Sequence, residues 1–211
     1  GKYTELIDSY KSVMEAFVHA GVENKARVNI KWVQAEKIKN EKSIKKLFSN
    51  INGVLILPGF GARGSEGKIQ IAKFSRENKI PFLGICLGLQ CAVIEFARNV
   101  CNMEGADSTE FNKRTKFPVI DLMESQRAIK IKGGTMRLGA YDCEIKTGTK
   151  IYAAYRKKRI SERHRHRYEV NNRYRNKLEK NGLIFSGINK DLGVVEAIEV
   201  KGHPWYIAGQ F

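Results

Sequence analysis

Between Ile80 and Gln90 the chain reads Ile-Pro-Phe-Leu-Gly-Ile-Cys-Leu-Gly-Leu-Gln, and this stretch narrows the possible folds more than any other. Its first half is a short apolar run bounded by Lys79 and Pro81, the pattern of a buried strand. From Leu89 the apolar residues recur at Leu89, Ala92, Val93, Phe96, Ala97 and Val100, one continuous helical face. A strand that breaks into a helix between two small residues, Gly84 and Gly88, holds the side chain between them on a sharp, exposed turn. That is the arrangement of a nucleophile elbow, with the thiol of Cys86 where G-x-S-x-G proteins carry a hydroxyl. The free N–H groups and partial positive charge of the helix N-terminus favour thiolate over thiol. Cys86 is the candidate nucleophile. The plainer use of such a cysteine is as a small buried hydrophobe.

The rest of the first half repeats the alternation. Val13, Ala16, Phe17 and Ala20 predict a helix over Ser9 to Ala20, with Gly21 as its left-handed stop. Val28, Ile30 and Trp32 alternate as a strand, and Ile44, Leu47, Phe48 and Ile51 line a basic helix. The run Val54 to Leu57 reads as a strand and Ile69 to Arg76 as a helix. Strands separated by helices of this length point to βαβ units in a parallel sheet. Ligands of such sheets bind beyond the carboxyl ends of the strands, which is where both Gly59 and Cys86 fall. After about Gly105 the pattern turns β-rich, with runs at Val119–Leu122, Ile160–Tyr168, Leu183–Ile188 and Val194–Val200 and one helix near Arg173–Lys180. The predicted fold is a three-layer α/β domain, with a largely parallel central sheet, helices on both faces and a smaller β-rich extension.

Composition removes several function classes. Across 211 residues no apolar run approaches the roughly 18 residues of a membrane span, and no signal peptide opens the chain. Cys86, Cys91, Cys101 and Cys143 form no C-x-x-C pair and sit in apolar, periodic segments, so a reducing cytoplasm is expected and neither zinc nor a disulfide framework is. The net charge of +16 raises nucleic-acid binding. The lysines and arginines are spread over helix faces and a 156–159 run, with no nucleic-acid-binding motif, so they read as a solvated surface or a face for an acidic partner.

Two glycine motifs mislead. Gly59-Phe60-Gly61-Ala62-Arg63-Gly64 follows a strand as a dinucleotide fingerprint would, but the next strand ends in Cys86 instead of the acidic ribose ligand. Gly67-Lys68 suggests a P-loop, yet Ala62 stands where its first glycine belongs and Ile69 where magnesium needs Ser or Thr. The remaining use of these glycines is to let backbone N–H groups approach an anionic atom. His164 and His166 share one face of a predicted strand among four arginines, without a third ligand for a metal.

The segment Pro81 to Gln90 resembles the nucleophile segment of class I, triad-type glutamine amidotransferases. Gly1-Lys2-Tyr3, Ser108-Thr109-Glu110-Phe111, Gly133-Gly134-Thr135-Met136-Arg137-Leu138-Gly139, Glu162 to Glu169 and His203-Pro204-Trp205 extend the resemblance, in order, to the amidotransferase domain of the CTP synthase family. That resemblance implies hydrolysis of L-glutamine at Cys86, with the N–H groups of Gly59 and Leu87 facing the oxyanion. It also implies a substrate pocket of Gly59, Leu87, Gly88, Leu89, Gln90, Glu110 for the α-ammonium and Arg167 for the α-carboxylate. The ammonia would serve a synthetase domain of the same polypeptide that aminates UTP to CTP. ATP and Mg belong to that domain, no cofactor or metal to this one, and GTP activation and a homotetramer are expected of the whole enzyme. Neither nucleic acid nor membrane is an expected partner.

Two departures matter. The family's Pro-Gly-Gly-Phe-Gly is here Leu57-Pro58-Gly59-Phe60-Gly61, which leaves the N–H of Gly59 in place. In the family a Gln-Phe is followed at once by His-Pro-Glu, which supplies the general base and its orienting carboxylate, whereas this sequence stops at Gln210-Phe211. His203 precedes the last predicted strand, at the opposite edge, and does not replace that base. Residues 1–211 are thus expected to be an amidotransferase domain cut from a longer chain, without the synthetase domain and the tripeptide and impaired for that reason. The alternatives are the amidotransferase domain of another ammonia-using synthetase and a non-catalytic module that binds glutamine or a nucleotide.

Overall fold

A computed structural model describes residues 7–38, 40–123 and 136–211. Gly1-Lys2-Tyr3 and Gly133-Gly134-Thr135 therefore lie outside the described residues. Among those described, seven strands form the main sheet: β1 (Val54–Ile56), β2 (Phe82–Ile85), β5 (Arg137–Ile145), β6 (Arg159–His166), β8 (Leu183–Asn189), β9 (Val194–Val200) and β10 (Tyr206–Gly209), in the order β1-β2-β10-β9-β8-β5-β6. A second sheet joins β3 (Ala106–Ser108), β4 (Phe117–Asp121) and β7 (Glu169–Val170).

The expected α/β layering is present, but the main sheet is mixed, not largely parallel. Only β1, β2 and β10 run parallel, and every other pairing in it is antiparallel. The cause is connection length: β8 to β9 and β9 to β10 are joined by a few residues, whereas a parallel crossover needs a dozen or more. The β-rich half thus lengthens the same sheet and adds the small one.

One face of the sheet is covered by α2 (Glu41–Leu47), α3 (Ser65–Glu77) and α4 (Leu87–Asn99), around Ile56, Ile71, Phe82, Leu87, Val93, Ile198 and Tyr206. The other face carries α5 (Lys150–Tyr155), whose Ile151 packs with Cys143, Ile145, Ile160, Ala197 and Ile207. Alternation along β9 and β10 divides their side chains between the two cores. Helix α4 is buried from Leu87 to Ala97, packing on α3, on β2 and β10, and on β3 and β4. Its one buried acid, Glu95, accepts from Nε and Nη2 of Arg76 on α3, the paired geometry such a burial requires. The short α6 (Arg175–Lys180) anchors Leu178 in the same core.

Two sequence expectations fail locally. The first helix, α1, spans Lys11–Glu23 and runs through Gly21. That glycine serves close approach, because a Cβ there would meet the Ala26 carbonyl oxygen at 2.5 Å, and the left-handed residue is Lys25. Val28 to Trp32 is no strand. No ladder partner is in register among the described residues, Trp32 stacks on Tyr10 at 5.6 Å, and Lys31 Nζ donates to the Leu47 carbonyl. No helix among the described residues is long and apolar enough to cross a membrane.

Candidate active site

The elbow is built by close contact. Cys86, at φ +53° and ψ −103°, occupies a region that L-residues with a side chain rarely adopt. Its N–H donates to the Gly209 carbonyl at 2.8 Å, which ties the bend to the end of β10. A Cβ on Gly84 would lie 2.8 Å from the backbone of Gly88, and one on Gly88 would lie 2.5 Å from the Ile56 carbonyl oxygen. Both glycines are therefore required by the packing of the α4 N-terminus against the ends of β1 and β2.

Register brings the second loop to the same place. Ile56 partners Gly84, so Gly59 and Leu87, each three residues further on, leave the sheet side by side. The Leu87 N–H hydrogen-bonds toward the Cys86 sulfur. Past Gly59, the Gly61 N–H donates to Oε1 of Glu110 at 2.7 Å, which draws Glu110 to this loop. Gln90 Nε2 donates to the Tyr168 carbonyl at 3.2 Å, and the half-buried Arg167 directly precedes that residue. Burial raises the Tyr168 phenol, the charge of Glu110 raises it further and Arg167 opposes. Cys86, Gly59, Leu87, Gln90, Glu110 and Arg167, widely separated in sequence, converge at one sheet edge. Leu87 and Leu89 turn their side chains into the core, so with Gly88 they offer a ligand main chain only.

The electrostatics correct one expectation. Burial pushes the Cys86 thiol up to about 11, against the Leu87 N–H and the charge of Lys68, while Glu110 and Glu169 push it further. The residue is 8% exposed, so desolvation of the anion outweighs the helix terminus. The resting group is a thiol, and its use as a nucleophile requires a base.

Behind the site lies a buried ionic cluster that the sequence reading missed. Arg137 on β5 donates to Glu169 on β7 at 3.0 Å and to Glu196 on β9 at 2.7 Å. Nδ1 of His164 and Nε2 of His166 share a hydrogen bond of 2.9 Å, and His166 Nδ1 lies 3.2 Å from the Tyr168 carbonyl. With His166 as donor to that carbonyl, its Nε2 accepts from His164. Burial and then Arg137 hold His164 down at about 4 and His166 at about 3, so both rings are neutral. Glutamates within the wholly buried β9 were the sequence signal for this cluster. Gln210, also missed, places Nε2 3.9 Å from the Cys86 sulfur and covers the turn expected to be exposed.

His203 sits at the opposite edge, before β10, where Nε2 lies 3.1 Å from the Ser75 carbonyl and Nδ1 accepts from the Trp205 N–H. The four cysteines are buried and none is in a disulfide.

The family model for class-I glutamine amidotransferases matches residues 5–211. The chain is 57% identical over 212 aligned residues to a CTP synthase of Pelodictyon phaeoclathratiforme and 55% identical to that of Chlorobaculum tepidum. Both alignments cover all of this chain and 38% of the relative, so the chain spans under two fifths of the length of the curated relatives it matches. Among solved structures, the glutaminase domain of Trypanosoma brucei CTPS with bound acivicin superposes with a TM-score of 0.92 at 35% identity, covering all of this chain and 83% of that one. A glutamine amidotransferase of Thermotoga maritima gives a TM-score of 0.56 at 14% identity, over 92% of this chain and 67% of that one, a likeness of fold alone.

Proposed function

The chain belongs to the class-I glutamine amidotransferase family, and from that premise we propose that it is the glutamine-hydrolysing part of a CTP synthase. The observation that carries the reading is the strained Cys86 elbow, with Glu110 holding the Gly59 loop through Gly61 and Gln90 reaching the Tyr168 carbonyl next to Arg167. In this reading Arg167 holds the α-carboxylate of L-glutamine as a bidentate guanidinium, and Glu110 takes the α-ammonium. The Cys86 sulfur attacks the side-chain amide carbon and its proton passes to a base. We assign that base to the histidine of the family's His-Pro-Glu pattern. The Gly59 and Leu87 N–H groups stabilise the tetrahedral oxyanion, each such donor contributing about 3–4 kcal/mol. The C–N bond breaks, the nitrogen leaves as ammonia after protonation, and water cleaves the γ-glutamyl thioester to glutamate and free thiol.

The ammonia would serve a synthetase domain of the same polypeptide that aminates UTP, using ATP and Mg. GTP activation, a homotetramer and a cytoplasmic setting belong to the same proposal. The test is CTP formation by the full-length protein and its Cys86→Ala variant. The variant should lose glutamine-dependent synthesis and keep synthesis from added ammonium. Glutamine-dependent synthesis that survives the substitution would contradict the reading.

A further inference from the structure

Helix α3 turns Ser65, Lys68, Ala72 and Ser75 inward, so a lysine stands on its buried stripe. Lys68 is 2% exposed, and burying an ammonium is costly unless specific contacts offset it. Its Nζ donates to the Leu57 carbonyl at 2.8 Å. Leu57 is the residue before Pro58-Gly59, and Pro58 has no N–H with which to anchor the loop itself. At the far end of the same loop the Gly61 N–H is held by Glu110. The segment Leu57–Gly61 is therefore gripped at both ends by side chains of opposite charge, with Gly59 between them. The second effect is on sulfur. Three charged groups from three elements act on Cys86: Lys68 from α3, Glu110 from the turn after β3 and Glu169 from β7. Of these three only Lys68 is positive.

We propose that Lys68 is a positioning residue for amide hydrolysis, holding the Gly59 loop by the Leu57 carbonyl and supplying the fixed positive charge that favours sulfur anion and oxyanion at Cys86. This rests on the glutaminase reading. Burial, and after it Glu110 and Glu169, hold the thiol high, and Lys68 acts in the opposite direction with the Leu87 N–H. Neutralising the lysine should then move the ionisation of Cys86 upward.

The experiment is the pH profile of Cys86 alkylation by iodoacetamide, a neutral probe, in the full-length protein, with the adduct quantified by peptide mapping. Lys68→Met keeps length and apolar volume without charge. Lys68→Gln keeps a donor without charge, and Lys68→Arg keeps the charge. The Met and Gln profiles should shift upward by about one pH unit, the scale on which an opposite charge moves an ionisation, with alkylation at pH 8 about tenfold slower. The Arg profile should stay near that of wild type. A merely structural lysine would lower the melting temperature and leave the profile in place. Wild-type profiles in whichever neutral variants fold would overturn the assignment. Failure of the glutaminase reading looks different: wild type would then not be alkylated at Cys86 ahead of Cys91, Cys101 and Cys143.

Discussion

The main-chain N–H of Gly61 donates to Oε1 of Glu110 at 2.7 Å, joining the loop after β1 to the turn after β3. One carboxylate thus shapes the loop beside the nucleophile while its second oxygen is available to a substrate cation. Glu110→Ala should weaken glutamine binding by roughly 2–5 kcal/mol, the scale for a buried charged contact left unpaired. Arg167→Ala should do the same from the carboxylate end. Calorimetry in a Cys86→Ser background, which prevents turnover, measures both, and unchanged affinity in either variant removes that residue from the clamp.

The two elbow glycines make a prediction about stability. A methyl group on Gly88 would meet the Ile56 carbonyl at 2.5 Å and one on Gly84 the Gly88 backbone at 2.8 Å, so neither obstacle is a flexible side chain. Gly88→Ala and Gly84→Ala should each cost about 1–3 kcal/mol by overpacking. Both should also move the Cys86 sulfur and slow its alkylation. Urea denaturation that places Gly88→Ala level with wild type would show that the helix start is looser than described.

The ionic cluster predicts an asymmetry. Arg137, Glu169 and Glu196 are all essentially buried, so removing the cation alone leaves two carboxylates competing in an apolar site. Arg137→Met should cost roughly 3–5 kcal/mol. Adding Glu169→Gln and Glu196→Gln should recover part of that loss. Equilibrium unfolding that finds Arg137→Met within about 1 kcal/mol of wild type would mean the pair carries little of the fold's stability.

The two buried histidines set an acid limit. Their folded values, about 4 for His164 and about 3 for His166, lie below the ordinary value of 6.5. The unfolded chain therefore binds protons first as pH falls. Their contribution is complete above about 6.5 and is lost progressively down to about 3–4, on the order of 3–5 kcal/mol for each ring. Glu169, pushed up to about 8 by burial, works oppositely between about 4.5 and 8, so the signature is a difference between proteins. The stability of wild type minus that of His166→Asn should shrink as pH drops from 7 to 4. A constant difference across that range would contradict neutral burial of these rings.

How much of this was legible beforehand follows from range in sequence. The elbow was readable because Gly84, Cys86 and Gly88 lie within five residues and mark a change from strand to helical spacing. Glu110 and Arg167 were readable only through family resemblance, since the contacts that place them, Glu110 with Gly61 and Gln90 with the Tyr168 carbonyl, join residues 49 and 78 positions apart. Lys68 stands in the sequence as part of a failed P-loop pattern. The overlooked signal was its place on the stripe of Ala72 and Ser75. Gln210 and the Arg137 cluster depend on which strands pair, and the order β2-β10-β9-β8-β5 is set by tertiary packing that local pattern does not report. The thiol's resting state was misjudged for a related reason: a helix terminus is a local feature, whereas burial to 8% exposure is a property of the folded whole.

In the proposed reaction Cys86 attacks a glutamine side chain held in this pocket. Its most direct test is reaction of the full-length protein with a chloroketone analogue of glutamine, followed by peptide mapping. A single adduct should form on Cys86, suppressed by excess L-glutamine and absent in Cys86→Ser. An adduct on Cys91, Cys101 or Cys143, or labelling of Cys86 that glutamine does not slow, would contradict it.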